Sequence, residues 1–144
     1  MSFTDTELEY LSSQRLGRLA TAQPNGTLQV NPVGFRYNSS TGTIDIAGIR
    51  MVGSRKFRNV ADNGQVAFVV DDLASVQPWR PRCLEIRGTA EAIDEPADSA
   101  WADGPNMGRD GAIIRIHPKR IISFGIDETD RDVRQLTVNR RTVG

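Results

Sequence analysis

An Asn25-Gly26 pair preceded by Pro24, set between two strand-like stretches, constrains this chain most. Asn-Gly supplies the positive backbone angles that a tight hairpin turn needs, and it is the strongest short hairpin signal a sequence carries. Residues 18–22 are therefore expected as a short strand, with residues 28–37 returning beside it as a long one. In the second strand Asn31, Val33, Phe35 and Tyr37 share one face, and Val30, Pro32 and Gly34 share the other. Pro32 has no N–H for a ladder and Gly34 leaves backbone uncovered. The middle of this strand is either a sheet edge or a place where something lies against it.

The remaining pattern is also strand-rich. Thr4 with Glu7 forms a capping box, and Leu8 and Leu11 give an apolar stripe, so a first helix is expected over residues 5–14. Residues 38–42 read as a turn and 43–47 as a third strand. Gln65 to Val70 (QVAFVV) is a continuous apolar run, the pattern of a strand buried on both faces, ended by Asp71-Asp72. Residues 73–82 read as a loop. Residues 83–93 alternate as a half-exposed antiparallel strand with a bulge at Gly88. Residues 94–110 are acidic and rich in Gly and Pro, a loop with one helical turn near Ser99 to Trp101. Residues 112–117 and 120–126 are expected as two last strands joined at Pro118, and the chain after Asp127 as a surface tail. Six or seven mostly antiparallel strands with two short helices argue for a small β-barrel rather than a doubly wound sheet.

The chemistry concentrates at residues 48–63, GIRMVGSRKFRNVADN. Gly53 permits a tight turn, Ser54 is a good N-cap, and Phe57, Val60 and Ala61 mark the apolar face of a short helix. Arg50, Arg55, Lys56 and Arg58 surround its start, with no acidic residue in this segment before Asp62. Free N–H groups and the positive end of the helix dipole favour an anion at such a point. A charge-assisted hydrogen bond contributes roughly 1.5–3 kcal/mol, so two or three of them hold a phosphate. A solvated basic helix start fits the composition equally well.

Bulk numbers narrow the field. At 144 residues the expected organisation is one domain. With 18 basic and 18 acidic residues and zero net charge, nothing global points to nucleic acid or an anionic membrane. One cysteine, Cys83, excludes an intrachain disulfide, and no apolar run approaches the roughly 20 residues of a membrane span. The acidic N-terminus has no apolar signal region, so a soluble cytoplasmic protein is expected. No His/Cys/Asp cluster has metal spacing, and no Walker, Rossmann or nucleophile-elbow pattern occurs. Cys83 reads as a small packed residue, and His117 before Pro118 as a turn residue.

The order RLATAQPNG, NPVGFRY, TIDIAG, GSRKFRN and QVAFVVDD resembles the split β-barrel flavoproteins of the pyridoxamine 5′-phosphate oxidase-like superfamily, the FMN-binding split barrel, over residues 5–126. GRLAT, PVGFRY, RKFRNV, AFVVDDLASV and PWRPR resemble its deazaflavin (coenzyme F420)-dependent branch, in the subgroup that includes a dehydro-tetracycline reductase. The resemblance implies a homodimer with cofactor sites at the subunit interface. It places the cofactor phosphate on Ser54, Arg55 and Lys56, and runs the strand bearing Asn31, Pro32, Val33 and Arg36 along the cofactor ring. It brings the backbone of Ile46 and Ala47 to the ring or ribityl chain. Arg50 and Arg58 would help anchor the phosphate or the acidic cofactor tail.

Departures from the FMN-using oxidases shape the choice of cofactor. Those proteins carry a basic residue where this chain has Asn31, a glutamine where it has Cys83, and a C-terminal Arg/His motif absent from RQLTVNRRTVG. The expected activity is hydride transfer from reduced coenzyme F420 to an activated double bond of a planar conjugated substrate, with FMN as the alternative cofactor. Few catalytic side chains are required, because such a cofactor carries the hard step. Tyr37 is the one candidate proton donor besides solvent. Trp79, Arg80 and Arg82 are expected to close the site from the partner subunit, against the alternatives that Trp79 is a packing anchor and the arginines pair with Asp71 or Asp72. An FMN-dependent flavin reductase and a non-catalytic flavin- or haem-binding barrel are the rival readings.

Overall fold

The computed structural model describes residues 2–127 and 131–144. Helix α1 spans Asp5–Ser12, closed at its start by the reciprocal Thr4–Glu7 capping box. It ends two residues sooner than expected, where the Ser13 hydroxyl bonds the Tyr10 carbonyl. Strands β1 (Leu16–Ala22) and β2 (Leu28–Asn38) form the hairpin that Asn25-Gly26 announces, with Gly26 at φ 88°. Then follow β3 (Thr43–Ala47), helix α2 (Arg55–Asn63), β4 (Gln65–Ser75), β5 (Arg80–Ile93), β6 (Ile113–Phe124) and β7 (Asn139–Thr142). All strand pairings among the described residues are antiparallel, in the order β3-β2-β1-β4-β5-β6-β7. Pairing of β3 with β6 closes strands β1 to β6 into a barrel, and β7 hangs on β6. The fold is mainly β, a split β-barrel with short helices.

Inward-facing residues alternate along each strand. Leu19, Ile44, Ile46, Phe68, Val70, Leu84, Ile86, Ile114 and Ile116 form the barrel core. Phe35 and Phe68 meet edge to face at 5.3 Å, and Gly17 is needed beside them, because a Cβ there would sit 2.3 Å from the Phe68 ring. No helix among the described residues is long and apolar enough to cross a membrane.

Five expectations about the elements are corrected. Asp71-Asp72 does not end β4: the strand runs on to Ser75, because Arg82 opposite in β5 neutralises Asp72 across the ladder. Residues 73–82 are therefore mostly paired strand around a tight turn rather than a loop. Residues 113–124 are one strand rather than two, with Pro118 accommodated at a bulge whose extra residue is Lys119. Gly88 faces this bulge from β5, where a Cβ would fall 2.1 Å from the His117 carbonyl oxygen. The C-terminal segment is not a simple surface tail. Strand β7 pairs with β6, and Arg141 grips both oxygens of the buried Glu7 carboxylate at 2.6 Å, tying the end of the chain to its beginning. Residues 128–130 of that segment lie outside the described residues.

The fifth correction concerns QVAFVV. Only Val66, Phe68 and Val70 are buried; Ala67 and Val69 stay half-exposed on the outer face of the barrel. A run read as covered on both sides is covered by this chain on one.

Candidate functional site

Pro32 and Gly34 mark both of the features expected of them. β2 pairs with β1 through Leu28–Gly34 and with β3 only through Phe35–Asn38, so the stretch holding Asn31, Pro32 and Val33 is open on its second edge. Trp101 lies against Gly34, where an added Cβ would come 3.5 Å from the indole. The side chains of Pro32 and Arg36 are exposed, Asn31 is half-buried and Val33 is buried in the core.

Helix α2 covers the barrel beside this edge. Ser54 accepts from the Phe57 amide as N-cap and donates to the Met51 carbonyl at 2.6 Å, while Met51 is buried and anchors the turn. Gly64 ends the helix in the left-handed region at φ 68°. Phe57 and Val60 pack inward. Asn59, also buried, donates to the Thr21 hydroxyl at 3.0 Å and to the Gln29 side-chain oxygen at 3.3 Å. Gln29 in turn donates to the Asn31 side-chain oxygen at 2.9 Å, so a polar relay from α2 fixes the Asn31 amide. Oδ1 of Asn59 has no partner among the described residues.

At the start of α2 the side chains of Arg50, Arg55 and Arg58 are exposed and Lys56 is half-buried. Among the described residues none of the four side chains forms a hydrogen bond or an ion pair. Asp110, whose carboxylate bonds the Val52 amide of this turn, also accepts from the Ala112 amide. Four cations without an acid partner at a helix N-terminus favour negative charge there. Ile46, buried, and Ala47, half-buried, end β3 where it runs into this turn.

The segment 94–111 contributes more than a loop was expected to. Asp45, fully buried in β3, accepts from Arg115 Nε at 3.0 Å and Nη2 at 3.1 Å, from Asn38 at 2.9 Å, from Thr43 at 3.1 Å and from the Ala100 amide at 3.0 Å. Burial pushes the Asp45 carboxyl up, but the hydrogen bonds from Arg115, Asn38 and Ala100 outweigh it and hold the group below the usual carboxylate range. This clamp pins residues 98–101 to the barrel. Trp101 Nε1 then donates to the Asp45 carbonyl at 2.9 Å, which fixes the indole. The Arg36 guanidinium lies 4.2 Å and that of Arg109 4.8 Å from the ring centroid. Sequence reasoning passed over Trp101 and Arg109; a tryptophan inside a Gly- and Pro-rich stretch was the available signal.

Two clefts adjoin Trp101. One, about 580 Å³, runs between α1 and β2, with Arg15, Arg36, Phe35 and Tyr37 in its walls. The other, about 230 Å³, lies beside Ala47 and Arg109. Trp79 and Arg82 are elsewhere. They line an outward groove of about 760 Å³ with Val30, Val69 and Cys83, away from the α2 turn of the same chain. Arg82 is engaged with Asp72 through two donors, and Tyr10 and Gln14 bond the same carboxylate. Asp71 pairs with Arg18 at 3.3 Å rather than with Arg80. Burial, then Asp71 and Glu85, push the Cys83 thiol up to about 11, so it is not a reactive thiolate at neutral pH. His117 is not at a strand end. It sits within β6 and bonds Glu91 on the surface.

A family model described as pyridoxamine 5′-phosphate oxidase matches residues 3–125. The chain belongs to the pyridoxamine 5′-phosphate oxidase family. A relative from Streptomyces rimosus, named 5a,11a-dehydrotetracycline/5a,11a-dehydrooxytetracycline reductase, is 43% identical over 133 residues, covering 88% of this chain and 86% of that protein. Among solved structures, a conserved hypothetical protein from Mycobacterium tuberculosis superposes with a TM-score of 0.69 at 21% identity, covering 99% of this chain and 92% of that one. An FAD-binding protein from Mycobacterium smegmatis superposes with a TM-score of 0.60 at 19% identity, covering 99% and 100%. At these identities the two structures speak to the fold. Family membership and the reductase together support an oxidoreductase.

Proposed function

We propose that this chain is a coenzyme F420-dependent reductase that adds a hydride to an activated C=C or C=N bond of a planar conjugated substrate. The observation that carries the reading is the set of four unpartnered cations around the N-terminus of α2. Arg55, Lys56 and the Ser54 turn would hold the cofactor phosphate, and Arg50 and Arg58 its further negative charge. Asn31, Pro32 and Val33 on the open β2 edge, with Arg36 beyond them and Ile46 and Ala47 at the end of β3, would lie along the ring. Reduced deazaflavin, when bound, supplies the hydride. What the chain contributes is orientation, exclusion of water and a fixed Asn31 amide whose N–H groups remain free to donate.

The half-covered outer face supports a homodimer. Val30 and Val69 line the groove that holds Trp79, itself 52% exposed, and with Ala67 they line an adjoining one. A second copy seated there would bury the apolar surface and carry its Trp79 and Arg82 toward the cofactor. The reaction is proposed to run in the cytoplasm.

FMN is the second reading, the cofactor that the resemblance implies for the oxidases of the superfamily. Titration of the apo protein with oxidised deazaflavin and with FMN, following tryptophan quenching, separates the two. Arg55→Ala/Lys56→Ala is expected to weaken deazaflavin binding at least about a hundredfold, since two charge-assisted contacts are lost. Tighter FMN binding, or no dependence on Arg55 and Lys56, refutes the assignment.

A further inference from the structure

The only charged residues lining the cleft between α1 and β2 are cationic. Arg15 and Arg36 both reach it, and no carboxylate lines it. Arg15 has no partner among the described residues, and Arg36 makes only one long hydrogen bond, 3.5 Å, to the Ala100 carbonyl. Asp72, bonded by Gln14 of the cleft wall, is already neutralised by Arg82. Six other arginines, Arg18, Arg82, Arg87, Arg115, Arg134 and Arg141, are paired with acids; Arg15 and Arg36, like the cations at the start of α2, are not. Two cations left without an anion in a concave, partly apolar cleft mark a place for an anionic ligand.

Shape adds a second constraint. Trp101 is held by its bond to the Asp45 carbonyl, with one edge against Gly34, so the indole is a fixed wall. Leu8 and Leu11 of α1 and Phe35 of β2 supply apolar surface. At about 580 Å³ the cleft suits a molecule of two to four fused rings. Gly34 is two residues from Pro32, about 7 Å along the strand, so the cleft adjoins the β2 edge.

We infer that the α1–β2 cleft receives the electron acceptor and selects a planar aromatic molecule bearing a delocalised anion, such as an enolate, phenolate or aryl carboxylate. Arg36 and Arg15 bind the anion and Trp101 bounds the ring. This rests on the reading that the β2 edge carries the cofactor ring, and it adds the chemical class of the substrate.

The test is calorimetric titration of the full-length protein with 1-hydroxy-2-naphthoate and, separately, with its neutral methyl ester. The deazaflavin titration is run alongside on every variant. The anion is expected to bind, the ester about tenfold or more weaker, and Arg36→Ala and Arg15→Ala each to weaken the anion about tenfold while leaving the ester unchanged. Arg36→Lys should recover part of the loss, and Trp101→Phe should weaken both probes. Both arginines are exposed, so these variants are expected to fold. Equal binding of anion and ester, or anion binding indifferent to both arginines, overturns the inference even if the cofactor binds normally. Normal anion discrimination with no deazaflavin or FMN binding instead sinks the cofactor reading and with it the acceptor role of the cleft.

Discussion

Strand β3 separates two opposite uses of positive charge. Along its paired length Asp45 and Arg115 are buried together, and the carboxylate accepts from five donors. Where the strand runs out into the turn and the start of α2, Arg50, Arg55, Lys56 and Arg58 stand without an acid partner. The first arrangement is closed: every lone pair is used, and its product is a fixed position for residues 98–101. The second is open, with side chains whose charge has no compensation inside the chain. Saturated charge builds structure, and unsaturated charge is available to a ligand. The same contrast separates Arg82, bound to Asp72, from Arg36, which faces a cleft with no acid.

The largest expected effect breaks the closed side. Asp45→Ala leaves Arg115 buried with only the half-exposed Asp98 for company, at 3.0 Å, and is expected to cost about 3 kcal/mol or more. Urea unfolding followed by fluorescence measures it, with the loss read from a lower midpoint at constant slope. Arg55→Ala/Lys56→Ala, measured the same way, should stay within about 0.5 kcal/mol of the parent. If both variants destabilise equally, the α2 cations have a structural role and the contrast fails.

A smaller effect comes from pH. The folded-state pKa of Asp45 is lowered, so its contribution is fully present above the unfolded carboxylate value of about 4 and is lost as pH falls through the folded value. Urea midpoints for the parent and Asp45→Asn are therefore expected to differ most at neutral pH and to converge in acid. Asp72, lowered chiefly by its hydrogen bond from Arg82, remains in both proteins and cancels from the difference. A gap that is constant down to pH 2 would show that Asp45 acts through packing alone.

Much of this contrast was legible in the sequence, and the rest was hidden for a physical reason. Local signals carried the hairpin at Asn25-Gly26, the capped helices at Thr4 and Ser54, and the cation cluster, because each depends on residues within a few positions of one another. Asp45 bonding Arg115, and Trp101 lying on Gly34, join residues about 70 positions apart, which no local pattern encodes. The extension of β4 through Asp71-Asp72 was missed for the same reason: two adjacent acids read as a strand end until Arg82 is seen opposite. Strand β7 was missed because NRRT has no apolar alternation; it is held by the β6 ladder and by the Arg141–Glu7 pair.

Salt offers the smallest effect and the most direct discrimination between the two kinds of charge. Screening lengths fall from about 30 Å at 0.01 M to about 3 Å at 1 M, and exposed charges feel this far more than buried ones. Affinity for the deazaflavin should therefore drop several-fold over that range, with most of the dependence removed by Arg55→Ala/Lys56→Ala. The stability difference between the parent and Asp45→Asn should scarcely move, because water and ions do not reach that carboxylate. An affinity insensitive to sodium chloride would mean that the α2 cations do not anchor the ligand. A stability difference as salt-sensitive as the affinity would mean that the Asp45–Arg115 clamp is far wetter than its burial implies. Either result would remove the distinction between closed and open charge from which the anion site was drawn.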